Sequence, residues 1–329
     1  MENTAQRQPS IENLKSAISE IKSLVADNCF PNNKKLIGIC RQNAIELIGG
    51  NNDSHLIHEL LETAVNLHLS ESLNPSSLQD EKENLRAFKL LTEMTAAMPP
   101  QSWRSKEQTI YQQFSTPAEI AFLMAQMLRP GKDKLALEPS AGTGNLAVWL
   151  KLAGCRTVVN EISVRRRNLL EIQGYAPHKI NAEFLNDLLP PEIEPDCILM
   201  NPPFSSSGGR TNQTDVKFGF RHLRAAMGRL KENGRLVALL GASASLDTVQ
   251  GRKFWSEIAD DYKVICLVKI PGKAFYKMGT TVGTMVCYLK KTGATKGQNH
   301  YEKLANIRQL ELKNLEDGLE LASQLSSAI

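Results

Sequence analysis

The stretch LALEPSAGTGN, residues 135–145, decides the fold because it combines a strand, a glycine-rich turn and a helix start. Leu135 to Glu138 is a short apolar run, Gly142 and Gly144 permit a tight turn, and Leu146 to Ala153 has a helical pattern. This succession begins a doubly wound α/β unit, in which ligands bind at the carboxyl ends of the strands. The sequence therefore predicts an α/β fold with a binding site at the end of this strand.

Further strand-like runs follow along the chain, as a doubly wound sheet requires. They are Val158 to Glu161, Ile180 to Phe184, Asp196 to Met200, Arg235 to Leu240, Val264 to Ile270 and Thr284 to Leu289. The last two frame a loop and are typical of a C-terminal β-hairpin. We expect a Rossmann-like, seven-stranded, mostly parallel sheet, and Leu304 to Leu325 is amphipathic and predicted to be helical.

The part of the chain before this sheet has a helical pattern. Apolar residues recur at three- and four-residue spacing in four stripes, within Ile11 to Val25, Leu36 to Ile48, Leu56 to Leu69 and Leu85 to Met98. The pair Pro99-Pro100 would end the last helix. We expect a helical N-terminal domain at residues 1–100, an α/β domain at 101–295 and a helical extension at 296–329. The first of these contains no glycine-rich loop or carboxylate pair, which indicates packing or partner contact.

Composition excludes several classes of protein. The chain has 329 residues, 42% apolar and 22% charged, without an apolar run long enough to span a membrane or a signal-peptide pattern. Its six cysteines form no Cys-x-x-Cys pair, which predicts free thiols and a cytoplasmic location. His55 and His58 have helical spacing but no further ligands nearby, so we expect surface histidines and no metal. A net charge of +4 permits nucleic acid as a partner.

A second informative stretch, Asn201-Pro202-Pro203-Phe204, follows the apolar strand Asp196 to Met200 directly. Two prolines cannot donate to a β-ladder, so the strand stops here with its carbonyls and the Asn201 amide at the sheet edge. A strand-ending turn would explain the motif by itself. Its position after the glycine-rich loop favours a binding site.

Acidic and aromatic residues after the other strands predict the kind of ligand. Glu138 lies at the glycine-rich loop, where no lysine of a phosphate-binding motif is present, so a polyphosphate would be repelled. Glu161 is placed to accept from two ribose hydroxyls. Glu183 and Phe184 could accept from an adenine amine and pack on its ring, with Asp187 as a competing acceptor; otherwise both acids are solvated loop residues. An adenosine with a cationic or zwitterionic tail fits this set better than ATP.

Taken in order, these motifs resemble those of S-adenosylmethionine-dependent adenine-N6 DNA methyltransferases. The order is similar to that of the gamma group and of type I modification subunits from restriction-modification systems. The matching residues are Phe114-Ser115-Thr116-Pro117, Glu138-Pro139-Ser140-Ala141-Gly142-Thr143-Gly144, Glu161, Glu183-Phe184 and Asn201-Pro202-Pro203-Phe204. The resemblance covers about Phe114 to Lys291 and implies a class I methyltransferase fold that methylates N6 of a flipped adenine in DNA.

The resemblance implies roles for single residues. The cofactor S-adenosylmethionine would contact Thr116 and the loop Gly142 to Gly144 at its methionine, Glu161 at its ribose, and Glu183 and Phe184 at its adenine. Glu138, Pro139 and Ser140 would also bind the cofactor. Catalysis would belong to Asn201, Pro202, Pro203 and Phe204. The Asn201 oxygen and the Pro202 carbonyl would accept from the target amine, and Phe204 would stack on the base. Phe275 would cover the other face of the base, unless it is a core residue of the hairpin.

The sequence does not decide which macromolecule is the substrate. Basic residues that could neutralise phosphates, or form solvated helix faces, are Arg165, Arg166, Arg167, Lys217, Arg221, Arg224, Lys269, Lys273 and Lys277. Little sequence follows Leu289, so the helical domain, the loop Ser205 to Phe220 or a separate specificity subunit would read DNA. Within that loop, Ser205 to Gln213 is predicted to be mobile. Release-factor glutamine and RNA methyltransferases share the Asn-Pro-Pro-aromatic pattern, and a non-catalytic nucleic-acid-binding subunit is a further alternative.

Overall fold

A computed structural model describes residues 9–47, 54–73, 80–101, 114–204 and 218–327 of the chain. The predicted mobile loop Ser205 to Gln213 and the basic residue Lys217 lie outside these ranges. Statements about the structure below refer to the described residues.

Seven strands form one mixed sheet in this part of the chain. They are β1 Leu135–Glu138, β2 Arg156–Val159, β3 Cys197–Met200, β4 Arg235–Gly241, β5 Lys263–Ile270, β6 Thr284–Lys290 and β7 Arg308–Glu311. Their order is β2-β1-β3-β4-β6-β5-β7, and only β6 runs antiparallel to its neighbours, β4 and β5. The predicted α/β class, the mostly parallel sheet and the β5–β6 hairpin are confirmed.

Two predictions about single elements are wrong. Residues Ile180 to Phe184 form no strand: the Asn181 side chain accepts from the Glu183 backbone N–H and starts a 3-10 turn at Ala182–Phe184. A short polar side chain that bonds the local backbone in this way competes with sheet pairing. The seventh strand is instead β7, which pairs parallel with β5 inside the segment that was expected to be helical.

Helices pack on both faces of the sheet. Those of eight residues or more are α1 Ile11–Ala26, α2 Asn33–Gln42, α3 Ser54–Ser72, α4 Glu81–Ala97, α5 Ala118–Leu128, α7 Val164–Ile172, α9 Phe218–Arg229, α10 Val249–Ile258 and α12 Asp317–Ser327. Shorter ones are α6 Ala147–Leu152, α8 Leu185–Leu188 and α11 His300–Ala305. The four predicted N-terminal stripes are helices, although α2 stops at Gln42 because Asn43 donates to the Ile39 carbonyl and ends it. No described helix is long and apolar enough to cross a membrane.

Alternate residues of the strands face two separate cores, as a sheet covered on both sides requires. One core contains Leu199 and Val237 with the N-terminal helices, α5, α6 and α12, and the other contains Ile198 and Leu236 with α9 and α10. The N-terminal helices therefore share a continuous core with one face of the sheet. The division into three domains stays a prediction from sequence.

Helix α3 lies between α1 on one side and α6 and α7 on the other. Every residue from His55 to Asn66 is buried, so the expectation of surface histidines at His55 and His58 is wrong. Burial, with a smaller effect from His55, lowers the pKa of His58 to about 4, which keeps that imidazole neutral. A helix that is buried on nearly all sides must place its polar side chains against partners.

Candidate active site

A cleft lies at the carboxyl ends of β1, β2 and β3, where the sequence predicts a site. It consists of two adjoining cavities of about 60 Å³ and about 330 Å³. Both are lined by Ser140, Glu161, Arg166 and Pro203, so they form one continuous cleft. The glycine-rich loop thus meets the Asn201-Pro202-Pro203 stretch across it.

Two glycines shape the loop in different ways. Gly142 has φ +56°, and a Cβ added there would meet no atom within 4 Å, so this side of the loop is open towards the cleft. Gly144 has φ +92°, and a Cβ there would lie 3.1 Å from Gln173 Oε1 and 3.2 Å from Leu170 Cδ2. Gly144 therefore lets α6 approach α7, whereas Gly142 leaves room for a ligand.

Glu161 connects the end of β2 to the loop. Its Oε2 accepts from the Gly142 backbone N–H at 2.8 Å, and its Oε1 accepts from the Ser163 N–H at 2.8 Å. The side chain is buried but lines both cavities. Each carboxylate oxygen has further acceptor capacity, which leaves Glu161 able to bind ligand hydroxyls.

Glu138 ends β1 and lines the smaller cavity. It is buried, and its Oε2 has no hydrogen-bond partner among the described residues. Burial, reinforced by the negative charge of Glu161, raises the pKa of Glu138 well above its usual range. A protonated Glu138 can donate a hydrogen bond into the cleft as well as accept one.

Asn201 follows β3 and has a fixed amide. Its Nδ2 donates to the Phe114 carbonyl and to Thr116 Oγ1, both at 2.9 Å. Both N–H groups are therefore used, while no described residue donates to Oδ1. Pro202 and Pro203 line the cleft beside it. The residues around Thr116 thus orient the predicted catalytic amide, a contact that the sequence alone does not show.

The predicted stacking rings are buried. Phe204 is 7% exposed and packs on Gly241, and Phe275 is 0% exposed in the core beneath the hairpin loop. This position of Phe275 is the core alternative considered from the sequence. Tyr276, its neighbour, is 62% exposed. Stacking by Phe204 and Phe275 stays a prediction.

Glu183 and Phe184 do not line the cleft. Glu183 pairs with Arg221, and Phe184 is 53% exposed and lines neither cavity. The larger cavity is lined instead by Ile162, Ile180, Asn181, Ala182, Phe218 and His222, which sequence reasoning missed. The sequence signal for Ile162 is that it is an apolar residue directly after the acid Glu161. The adenine-binding roles of Glu183 and Phe184 stay predictions.

The basic residues near the cleft mostly bind other parts of the chain. Arg165 and Arg166 pair with Glu59 of α3, and Arg167 donates to two backbone carbonyls. The other contacts join Arg224 to Glu257, Lys269 to Asp247 and Lys277 to the Met98 carbonyl. These partners favour structural roles for most of the predicted phosphate contacts.

Comparison with solved structures agrees with this architecture. A protein from Listeria monocytogenes, described as a class I S-adenosylmethionine-dependent methyltransferase, is 14% identical, with a TM-score of 0.50 over 96% of this chain and 97% of that one. The fold is that of class I methyltransferases. The type IIG restriction endonuclease BpuSI is 13% identical, with a TM-score of 0.52 over 99% of this chain and 41% of that one.

Similarity also extends to a modification subunit from Vibrio vulnificus, described as part of a type I restriction enzyme. It is 15% identical, with a TM-score of 0.47 over 86% of this chain and 75% of that one. No protein-family model and no curated protein matches the sequence. The two structures with TM-scores of 0.50 and 0.52 support the fold, whereas the chemistry must be argued from the cleft itself.

Proposed function

We propose that this chain transfers the methyl group of S-adenosylmethionine to the exocyclic N6 of an adenine in DNA that is flipped out of the helix. The observation that carries the proposal is the fixed amide of Asn201. Because Phe114 and Thr116 accept both of its N–H groups, its oxygen is left as an acceptor at the cleft. An acceptor held in this way suits a target amine.

The cleft fits the cofactor by its shape and charge. Gly142 leaves open space, Glu138 has a buried and unpartnered oxygen, and the only Lys or Arg side chain among the described lining residues, Arg166, is paired with Glu59. Such a lining favours a cation over a polyphosphate. Glu161 would hold the ribose, Ile162 the adenine and Glu138 the methionine portion. When bound, S-adenosylmethionine supplies the electrophilic methyl group.

Catalysis depends on the nitrogen lone pair of the target. The exocyclic amine of adenine is a poor nucleophile because this pair is delocalised into the ring. Asn201 Oδ1 and the Pro202 carbonyl can each accept a hydrogen bond from one N–H of the amine. These two bonds favour a pyramidal nitrogen with its lone pair directed at the methyl group. The new N–C bond would form as the C–S bond of the sulfonium breaks, with S-adenosylhomocysteine leaving, and an amine proton held by Asn201 Oδ1 would then pass to water. No covalent enzyme intermediate is required.

DNA is the favoured substrate because the segment before the first strand belongs to the site. The sequence Phe114-Ser115-Thr116-Pro117 resembles a DNA-family motif, and two of its residues accept from the Asn201 amide. We infer that a separate specificity subunit, or residues outside the described ranges, supplies sequence recognition. The paired state of most basic residues at the cleft supports this inference.

Radiolabelled methyl transfer tests the proposal directly. We expect label on adenine in duplex DNA, identified by mass spectrometry of the digested product, and at least a hundredfold loss with Asn201→Ala. Asn186→Ala, at an exposed asparagine on α8, is the matched control and should keep full activity. Label on RNA or on a protein glutamine would refute the DNA assignment. Absence of S-adenosylmethionine binding in calorimetry would refute the proposed methyltransferase activity.

A further inference from the structure

Glu62 of α3 reaches from the helical N-terminal part to Thr143 and Ser115, two residues that line the cleft. Its Oε2 accepts from Thr143 Oγ1 at 2.6 Å and from Ser115 Oγ at 2.9 Å, and its Oε1 accepts from Gln101 Nε2 at 3.2 Å. Glu62 is only 4% exposed. One buried side chain therefore binds the glycine-rich loop and the segment before α5 together.

Asn66, one helical turn later, begins a chain of hydrogen bonds that ends at Asn201. Its Nδ2 donates to the Thr143 carbonyl at 3.0 Å and to Asn145 Oδ1 at 2.9 Å. Asn145 Nδ2 donates to the Thr116 carbonyl at 3.1 Å, and Asn201 Nδ2 donates to Thr116 Oγ1. The position of the Asn201 amide is thus connected to α3.

Helix α3 is itself fixed against α7 by a buried ion pair. Both oxygens of Glu59 bind Arg165, at 2.6 and 2.9 Å, and Arg166 Nε binds Glu59 at 2.9 Å. Burial alone would raise the pKa of Glu59, but Arg166 and Arg165 lower it to about 2. The carboxylate therefore stays charged and paired over the physiological range.

Packing alone does not account for these polar groups. A helix can bury itself with apolar side chains, and each buried polar group is costly unless it is bonded. On α3, Glu62 and Asn66 direct these bonds to two segments that line the cleft rather than to neighbouring helices. The arrangement therefore serves the site.

We propose that Glu62 and Asn66 are positioning residues that hold the glycine-rich loop and the Asn201 amide in one geometry. This inference rests on the proposed function, because it assigns the N-terminal helices a part in the same site. Asn66 acts on Asn201 through Asn145 and Thr116, and Glu62 acts on the loop through Thr143. The sequence alone indicated only packing or partner contact for this segment.

Hydrogen exchange of the full chain, followed by mass spectrometry, tests the proposal without cofactor. Asn66→Leu keeps the branched shape and the number of side-chain heavy atoms but removes both donors, and we expect exchange in residues 114–117 and 139–146 to rise about tenfold. Thr63→Ala is the control, since Thr63 is fully buried on the same helix and donates only to the Glu59 carbonyl. Equal exchange in these two variants would overturn the proposal.

Glu62 is tested by a conservative pair of variants. Glu62→Gln keeps an oxygen that can accept from Thr143 and Ser115, whereas Glu62→Leu keeps none. We expect Glu62→Gln to retain most of the protection from exchange in residues 114–117 and 139–146, and Glu62→Leu to lose it. The urea unfolding midpoints of both variants show whether a loss of protection is local or reflects lower global stability. Identical behaviour of the two variants would contradict a positioning role for the carboxyl oxygens.

Enzymatic readouts complete the test. Asn66→Leu should lower kcat about tenfold. The double variant Asn66→Leu/Asn145→Leu should have a kcat close to that of the more impaired single variant, because both substitutions interrupt the same chain of hydrogen bonds. Fully multiplicative effects would overturn the link to Asn201. If the unmodified protein bound no S-adenosylmethionine, the proposed function would fail, while the exchange comparison would still decide whether α3 positions the loop.

Discussion

Separate substitution of Gly142 and Gly144 should distinguish a glycine that leaves room for a ligand from one that allows two helices to pack closely. In Gly142→Ala the residue must adopt a left-handed conformation, which costs roughly 1–2 kcal/mol, but the new methyl group meets no protein atom within 4 Å. In Gly144→Ala the φ of +92° is less favourable, and the methyl group approaches Gln173 and Leu170 to 3.1 and 3.2 Å. The two variants therefore disturb the chain in different ways.

The magnitudes follow from how firmly these neighbours are held. Gln173 Nε2 donates to the Thr143 carbonyl at 2.8 Å and to the Leu169 carbonyl at 3.1 Å, so it cannot move without breaking bonds. Strain and overpacking of roughly 1–3 kcal/mol each give a loss of about 3 kcal/mol in the free energy of unfolding for Gly144→Ala. For Gly142→Ala we expect a loss of about 1 kcal/mol.

Urea unfolding and calorimetric titration with S-adenosylmethionine measure the two effects. Gly142→Ala should remain folded but bind the cofactor at least tenfold more weakly, because its methyl group occupies the open side of the loop. Cofactor affinity equal to that of the unmodified protein would refute the assignment of this space to a ligand. A loss of stability as large as that of Gly144→Ala would refute the packing argument.

Two further predictions concern the rings at the hairpin and a buried acid. Phe275→Ala should lower the free energy of unfolding by about 3–5 kcal/mol, since the ring is fully buried, while Tyr276→Ala should leave stability unchanged and weaken binding of substrate DNA in a filter assay. Burial raises the pKa of Glu119 to about 7 despite its bond from Thr95, so the unfolded state releases this proton more readily. Stability should therefore fall from pH 4.5 to 7 by about 3 kcal/mol at most, and urea titrations of Glu119→Gln should lack this part of the pH dependence.

Local motifs made the sheet and the cleft predictable from the sequence. The glycine-rich loop and the Asn201-Pro202-Pro203 stretch each carry their structural meaning within a few residues, because glycine and proline restrict the backbone directly. The element at Ile180 to Phe184 was misread because Asn181 bonds its own backbone. A four-residue edge strand such as β7 is too short for its periodicity to distinguish it from a helix.

The role of α3 could not be read from the sequence because it depends on distant contacts. Glu62 and Thr143 are 81 positions apart, and Asn66 and Asn145 are 79 positions apart. Nothing in the amphipathic pattern of α3 separates a polar residue that binds the glycine-rich loop from one that faces solvent. The same reason explains His55 and His58, whose burial comes from helices on both sides of α3.

The charge of the cleft shows why counting acids and bases along the sequence was insufficient. Glu138 has a raised pKa and Glu161 accepts from two backbone N–H groups, so neither acts as a simple free negative charge. Arg166 lines the cleft, and an unpaired guanidinium there would attract phosphate. Its pairing with Glu59, a carboxylate shared with Arg165, weakens this attraction, and the nearby negative charge of Glu161 weakens it further. The proposed preference for a cationic adenosine over a polyphosphate would therefore depend on Glu59 from the N-terminal helices as well as on Glu161.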